Sequence, residues 1–135
     1  MNIEINTDLK LTIYGFSGIA INKDYVGMAF KLSGEMWRIV KERNLSNKGK
    51  NIWVYESNNK VFAGIELIDP QAELFGLHQK NIHLLKYAYF KHIGPYNTIK
   101  LSGQQMISEL KNKGFEIGET YIEIYGHWTK DETKS

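Results

Sequence analysis

The chain has 135 residues, enough for one ordinary core and too few for two. Its 17 basic and 15 acidic side chains leave a formal charge of +2, too even for the one-signed patch of a nucleic-acid or membrane-surface binder. With no cysteine, disulfides, thiol catalysis and cysteine-ligated metal sites are excluded; 42% hydrophobic residues exclude disorder as the dominant state, and the 13% aromatic content, eight residues of it tyrosine, is unusually high.

Leu9 to Ile21 is rich in β-branched and aromatic residues and reads as a strand bent near Gly15 and Gly18. From Tyr25 to Glu42 the spacing predicts a helix with Val26, Phe30, Trp37 and Val40 near its buried face and Ala29 and Met36 beside them. Asn44 to Asn51 is polar, holds Gly49 and reads as a loop. Ile52 to Glu56 and Lys60 to Asp69 then predict a hairpin around Ser57-Asn58-Asn59. Ile82 to Ile93 is a strand, after which Gly94-Pro95 opens a helix with proline at its first position. Ile99, Gly103, Met106, Ile107 and Leu110 face inward on that helix, and Lys111, Lys113 and Gly114 end it. Glu119 to Trp128 is again a strand, and the polar tail 129–135 follows.

Lys31-Leu32-Ser33-Gly34 recurs about half a chain later as Lys100-Leu101-Ser102-Gly103, each copy in a helix flanked by strands. Glycine inside a helix costs roughly 1 kcal/mol relative to alanine, so Gly34 and Gly103 suggest close helix–sheet contact. The expected fold is α+β. Two pseudo-symmetric β-α-β-β units, about 9–69 and 82–128, build an antiparallel sheet with two main helices in a single domain spanning 1–135. Symmetry calls for a closing strand that is short or absent. No apolar run approaches the ~20 residues of a membrane helix. Met1-Asn2-Ile3-Glu4 lacks the layout of a signal peptide, so a soluble cytoplasmic protein is expected.

The segment Tyr121-Ile122-Glu123-Ile124-Tyr125 alternates with period two, which points Tyr121, Glu123 and Tyr125 one way and the isoleucines the other. Trp53 and Tyr55 likewise oppose Ile52 and Val54, and Tyr87 and Tyr89 form a further same-face pair. If the halves pack about a pseudo-two-fold axis, Trp53, Tyr55, Glu123 and Tyr125 share one face of one sheet. Ring faces attract cations by about 0.5–2 kcal/mol each. A carboxylate desolvated among them lacks a countercharge that a lipophilic cation would supply. The plainer reading is a half-wet sheet with Glu123 solvated between tyrosines. His78, His83, His92 and His127 show no zinc-ligand spacing and none is placed to hold haem, so neither metal nor cofactor is expected; His92 reads as a hydrogen-bonding group beside the Gly94-Pro95 turn. No nucleophile elbow or phosphate-cradling glycine loop occurs. Lys41, Lys48, Lys50 and Lys60, interspersed with Glu42 and Glu56, read as a solvated face.

Tyr87-Ala88-Tyr89-Phe90-Lys91-His92-Ile93-Gly94-Pro95-Tyr96, a helix, and then Glu123-Ile124-Tyr125 resemble the second half of the GyrI-like small-molecule-binding family. That family also supplies effector-binding domains of AraC- and MerR-type transcription regulators. Ile13-Tyr14-Gly15, Trp37, Trp53-Val54-Tyr55 and Phe62-Ala63-Gly64-Ile65 extend the resemblance to the first half. The resemblance implies a SOUL-like arrangement with a central ligand groove lined by aromatics around one acidic residue, binding lipophilic, often cationic, drug-like compounds. Glu123 matches the pocket carboxylate, Tyr125 the tyrosine two residues on, and Trp37 the helix tryptophan; Trp53, Tyr55, Tyr87 and Tyr89 would complete the walls. The function so implied is a sensing or sequestering module linked to transcription regulation. Two alternatives stand: a hydrolase of strained or electrophilic small molecules using Glu123 and Tyr125, and a gyrase-inhibitor-type interaction module. The two units leave no room for a helix-turn-helix, so direct DNA binding by this chain is not expected. An unpaired sheet edge would offer a docking route for a partner or a second copy.

Overall fold

The protein was analysed as a computed structural model, which describes residues 2–68 and 74–125. Strand β1 runs from Glu4 to Ile19, helix α1 from Tyr25 to Glu42, β2 from Asn51 to Glu56 and β3 from Lys60 to Ile65. Strand β4 follows at His78–Tyr89, then a single 3-10 turn at Tyr96–Thr98, helix α2 at Ile99–Asn112 and β5 at Tyr121–Tyr125. The five strands form one antiparallel sheet in the order β4-β1-β3-β2-β5, so the α+β architecture expected from the sequence is present. Two further parts of the expectation, the end of the last strand and the closing strand, fall at residues 126–135, outside the described residues. No described helix is long and apolar enough to cross a membrane.

By its contacts the chain divides into two units. Among the described residues, one comprises 11–68, 74–82 and 119–125; the other comprises 2–10 and 83–118. In the first unit α1 packs against β3 and β2. Its start is set by Asp24, whose carboxylate accepts the Gly27 N–H at 3.0 Å and satisfies one of the unbonded donors of the first turn. Asp24→Ala is therefore expected to lower stability by about 1 kcal/mol, read as a shift in urea midpoint.

The buried stripe of α1 is Ala29, Leu32, Ser33, Met36 and Val40. The periodicity reading placed Val26 and Phe30 near this face; Val26 is 45% exposed, and Phe30 is 41% exposed with its ring edge against Trp53 of β2. The apolar count was misleading because a polar residue, Ser33, holds an inner position and donates its hydroxyl to the buried Asn51 at 3.3 Å. Tyr14, Met36, Val40, Ile65 and Leu77 form a core cluster at one end of this unit, with Phe16, Trp37 and Leu45 packed on it.

The glycine at position 15, where the sequence reading expected a bend, answers a steric demand. Gly15 lies directly opposite Gly64 in the β1–β3 ladder, and a Cβ there would stand 1.9 Å from the Ala63 carbonyl oxygen. Only glycine fits so close a backbone approach. Gly34 carries no such constraint: it is exposed, with open space where a Cβ would be, so the close contact inferred for it is absent. Its counterpart Gly103 is buried. The repeated Lys-Leu-Ser-Gly therefore occupies dissimilar environments, with Leu32 5% exposed and Leu101 67% exposed.

In the second unit the Gly94-Pro95 pair does not begin α2 directly. The Pro95 carbonyl accepts the Thr98 N–H at 3.1 Å and the Thr98 hydroxyl at 2.8 Å, closing the 3-10 turn, and α2 starts one turn later than predicted. His92 supports this turn as expected. Its Nε2 lies 2.9 Å from the Pro95 oxygen and its Nδ1 lies 2.7 Å from Ser102 Oγ. Because a carbonyl only accepts, the bond to Pro95 places a proton on Nε2.

Candidate functional site

The β2–β5 ladder assembles the site. Its antiparallel register pairs Asn51 with Tyr125, Trp53 with Glu123 and Tyr55 with Tyr121. Alternation along each strand then brings Asn51, Trp53 and Tyr55 of β2 onto the same face as Tyr125, Glu123 and Tyr121 of β5. Helix α1 covers part of that face. The Ser33 hydroxyl and the Trp37 indole N–H both donate to Asn51 Oδ1, Phe30 meets Trp53 edge-on at 5.0 Å, and Tyr25 meets Tyr55 edge-on at 6.1 Å.

Glu123 is the chemical centre of this face. It is 8% exposed, and among the described residues no lysine, arginine or histidine forms an ion pair with it. Its charge is met by hydroxyls instead. Oε1 accepts the Tyr125 hydroxyl at 2.6 Å and the Tyr55 hydroxyl at 3.1 Å; Oε2 accepts the Tyr121 hydroxyl at 3.4 Å. The bond lengths rank the three: the Tyr125 contact is short and charge-assisted, the Tyr121 contact long and weak.

The effect on the tyrosines is uniform. Burial pushes the hydroxyls of Tyr55, Tyr121 and Tyr125 well above the ordinary tyrosine range, and the adjacent Glu123 charge and their hydrogen bonds to it push them further. All three stay protonated and stay donors. The rings also wall the carboxylate: Trp53 lies 4.8 Å from Tyr125, and Tyr55 lies 6.0 Å from Tyr121. The arrangement is a desolvated negative charge, solvated by phenol groups and bordered by π faces.

Of the residues singled out in the sequence, Trp53, Tyr55, Glu123 and Tyr125 are brought together here. Trp37 sits further along the same face, its N–H held by Asn51 and its ring against the core cluster. Tyr87 and Tyr89 lie on β4 in the other unit, the first half-buried and the second largely exposed. The sequence reading left out Tyr121, Tyr25, Phe30 and Asn51. Tyr121 had a visible signal, since it stands two residues from Glu123 on the same side. Asn51 had none, because a polar residue at a strand start looks like the end of the preceding loop.

No curated protein sequence matches the chain. Among solved structures, SAV2435 bound to tetraphenylphosphonium aligns with a TM-score of 0.62 at 14% identity, covering 99% of this chain and 88% of that one, so the two share a fold. The sequence model of the GyrI-like small molecule binding domain matches residues 1–134. A match over that length decides the matter of kinship: the chain belongs to the GyrI-like small-molecule-binding domain family.

Proposed function

We propose that the tyrosine-bordered carboxylate of Glu123 binds lipophilic organic cations, and that the protein acts as a sensor or sequestering module for them. The observation that carries the proposal is a buried glutamate solvated by three neutral hydroxyls, with no cationic side chain among the described residues to offset it. Phenol donors stabilise the charge without cancelling it, so net negative potential remains for a ligand. Trp53, Tyr55, Tyr121 and Tyr125 add ring faces, each worth about 0.5–2 kcal/mol to a cation depending on its desolvation. Family membership and the phosphonium held by a protein of the same fold support the same reading.

The proposal extends to regulation. Helices α1 and α2 are separated by three strands and do not form a helix-turn-helix, so a link to transcription would need a DNA-reading element outside these residues that responds to ligand occupancy.

The test uses two ligands of nearly equal shape and different charge, methyltriphenylphosphonium and triphenylphosphine oxide. Glu123→Gln is expected to weaken the phosphonium at least tenfold, about 1.4 kcal/mol, in titration calorimetry. The neutral oxide should be nearly unaffected. Equal losses for both would remove the charge role from Glu123.

A further inference from the structure

We infer that Asn51 is a second recognition point of this site: its buried side-chain amide donates a hydrogen bond to the ligand, so the preferred ligands are lipophilic cations that also carry a carbonyl or similar acceptor oxygen. The inference rests on the Glu123 reading above and adds the class of ligand that the site prefers.

Asn51 opens β2 and is 2% exposed, on the face that carries Glu123. Its orientation is fixed from α1. An indole N–H can only donate, so the amide atom that Trp37 meets must be the oxygen, and the Ser33 hydroxyl donates to the same atom at 3.3 Å. With Oδ1 so engaged, the two N–H donors of Nδ2 remain. Among the described residues they meet no acceptor, since the side-chain hydrogen bonds of Asn51 are these two. The carboxylate of Glu123 and the three phenol oxygens around it keep spare lone pairs, but no hydrogen bond joins any of them to the amide. A buried donor without an acceptor is unfavourable, and a ligand oxygen would relieve it.

The amide nitrogen is turned toward the site. Helix α1 packs chiefly on β3, and β5 lies on the other side of β2. Oδ1 faces α1, and the nitrogen occupies the opposite branch of the same planar amide. The NH2 group therefore turns toward β5, where Tyr125 is the ladder partner of Asn51 and Glu123 its diagonal neighbour. Diagonal neighbours on one sheet face stand about 7 Å apart, close to the span of one aromatic ring with its substituents. A cation held at Glu123 thus carries an oxygen one ring away from its charge to the Asn51 amide. The two points read different properties. A carboxylate field and ring faces attract a cation without fixing which way it lies, whereas a directional bond at Asn51 fixes the orientation.

The test uses benzyltrimethylammonium ions with an acetyl group at the meta or para ring position. Each is paired with its isopropenyl counterpart, which matches it in shape and charge and lacks the acceptor. In an apolar site without a donor the acetyl ion is the weaker binder, because its carbonyl gives up its bonds to water. In the unsubstituted full chain at least one acetyl ion is expected to bind about fivefold more tightly than its counterpart in titration calorimetry, the effect of one hydrogen bond to a buried donor. Asn51→Leu keeps the side-chain volume and removes the donors, and the ratio is expected to fall to one or below; far-ultraviolet circular dichroism checks its fold. A second readout needs no substitution. In 15N-labelled protein the preferred acetyl ion should move the Asn51 side-chain amide protons downfield, and its isopropenyl counterpart should not. Acetyl ions that bind no better than their counterparts, a preference that survives in folded Asn51→Leu, or amide protons that respond alike to both ions would overturn the role of Asn51 with the cation site intact. If none of the ions binds, or if Glu123→Gln weakens none of them, the cation site itself is overturned and the preference falls with it.

Discussion

Trp53→Ala is expected to cost about 3–5 kcal/mol of folding stability, a large part of the 5–15 kcal/mol that holds a typical domain together. Trp53 is fully buried and lies at the centre of the β2–β5 face, opposite Glu123 in the ladder. Its ring contacts Phe30 of α1 on one side and Tyr125 of β5 on the other, at 5.0 and 4.8 Å between centroids. Truncation removes the largest fully buried side chain and leaves a gap between helix and sheet that close-packed neighbours cannot fill without moving. The measurement is urea unfolding, with a lowered midpoint at unchanged slope. The same substitution removes the support under Tyr125, whose hydroxyl makes the shortest bond to Glu123, so cation affinity should fall with stability. Trp53→Phe keeps a ring in place and is expected to lose much less. A loss below about 1 kcal/mol in the alanine variant would mean that α1 settles onto the sheet and closes the gap.

The architecture of the first unit was legible because its elements obey a single period each. Helix α1 has the bounds read from its spacing, and the β2–β3 hairpin turns at Ser57-Asn58-Asn59, where Asn58 and Asn59 adopt the positive φ that asparagine tolerates. The outer strands were harder. β1 begins at Glu4 rather than Leu9, and β4 runs from His78 to Tyr89 rather than from Ile82 to Ile93. β4 is at the edge of the sheet and pairs with β1, so both carry segments such as Glu4-Ile5-Asn6-Thr7-Asp8 and His78-Gln79-Lys80-Asn81 that are held by backbone ladders without apolar alternation. β1 also contains Asp8 at φ 62°, a local departure from extended backbone that no periodicity announces.

The site was legible where chemistry and alternation coincided. Glu123 flanked by Tyr121 and Tyr125 at two-residue spacing could be placed on one face from the sequence alone. That Trp53 stands opposite Glu123 depends on the β2–β5 register, which joins residues far apart in the chain. The three-hydroxyl coordination of the carboxylate depends on that register as well, since Tyr55 reaches Glu123 across strands. Strand alternation reports sides; it does not report which polar atoms meet.

Raising the pH past 10 is expected to unfold the protein, and the tyrosines of the site are the cause. In the unfolded chain a tyrosine ionises near 10, whereas Tyr55, Tyr121 and Tyr125 are held above that value by burial first and by the Glu123 charge second. Above pH 10 the folded state consequently retains protons that the unfolded state has released, and stability falls as pH rises. The contribution of these groups is fully present below 10 and is lost on the way up. Each tyrosine removes up to about 1.4 kcal/mol per pH unit, less at the half-buried Tyr55 and Tyr121 where solvent screens the charge. Over two pH units the three together remove up to about 8 kcal/mol, which reaches the lower half of the 5–15 kcal/mol of an ordinary domain. Phenolate absorbance and far-ultraviolet circular dichroism, followed in one titration, give the check. The absorbance of Tyr55, Tyr121 and Tyr125 should appear only as the dichroism collapses. Tyr125→Phe should make the stability loss shallower, because one of the proton-retaining groups is gone. A single wave near pH 10 that includes every tyrosine and leaves the fold standing would put the three hydroxyls in water, and Glu123 with them.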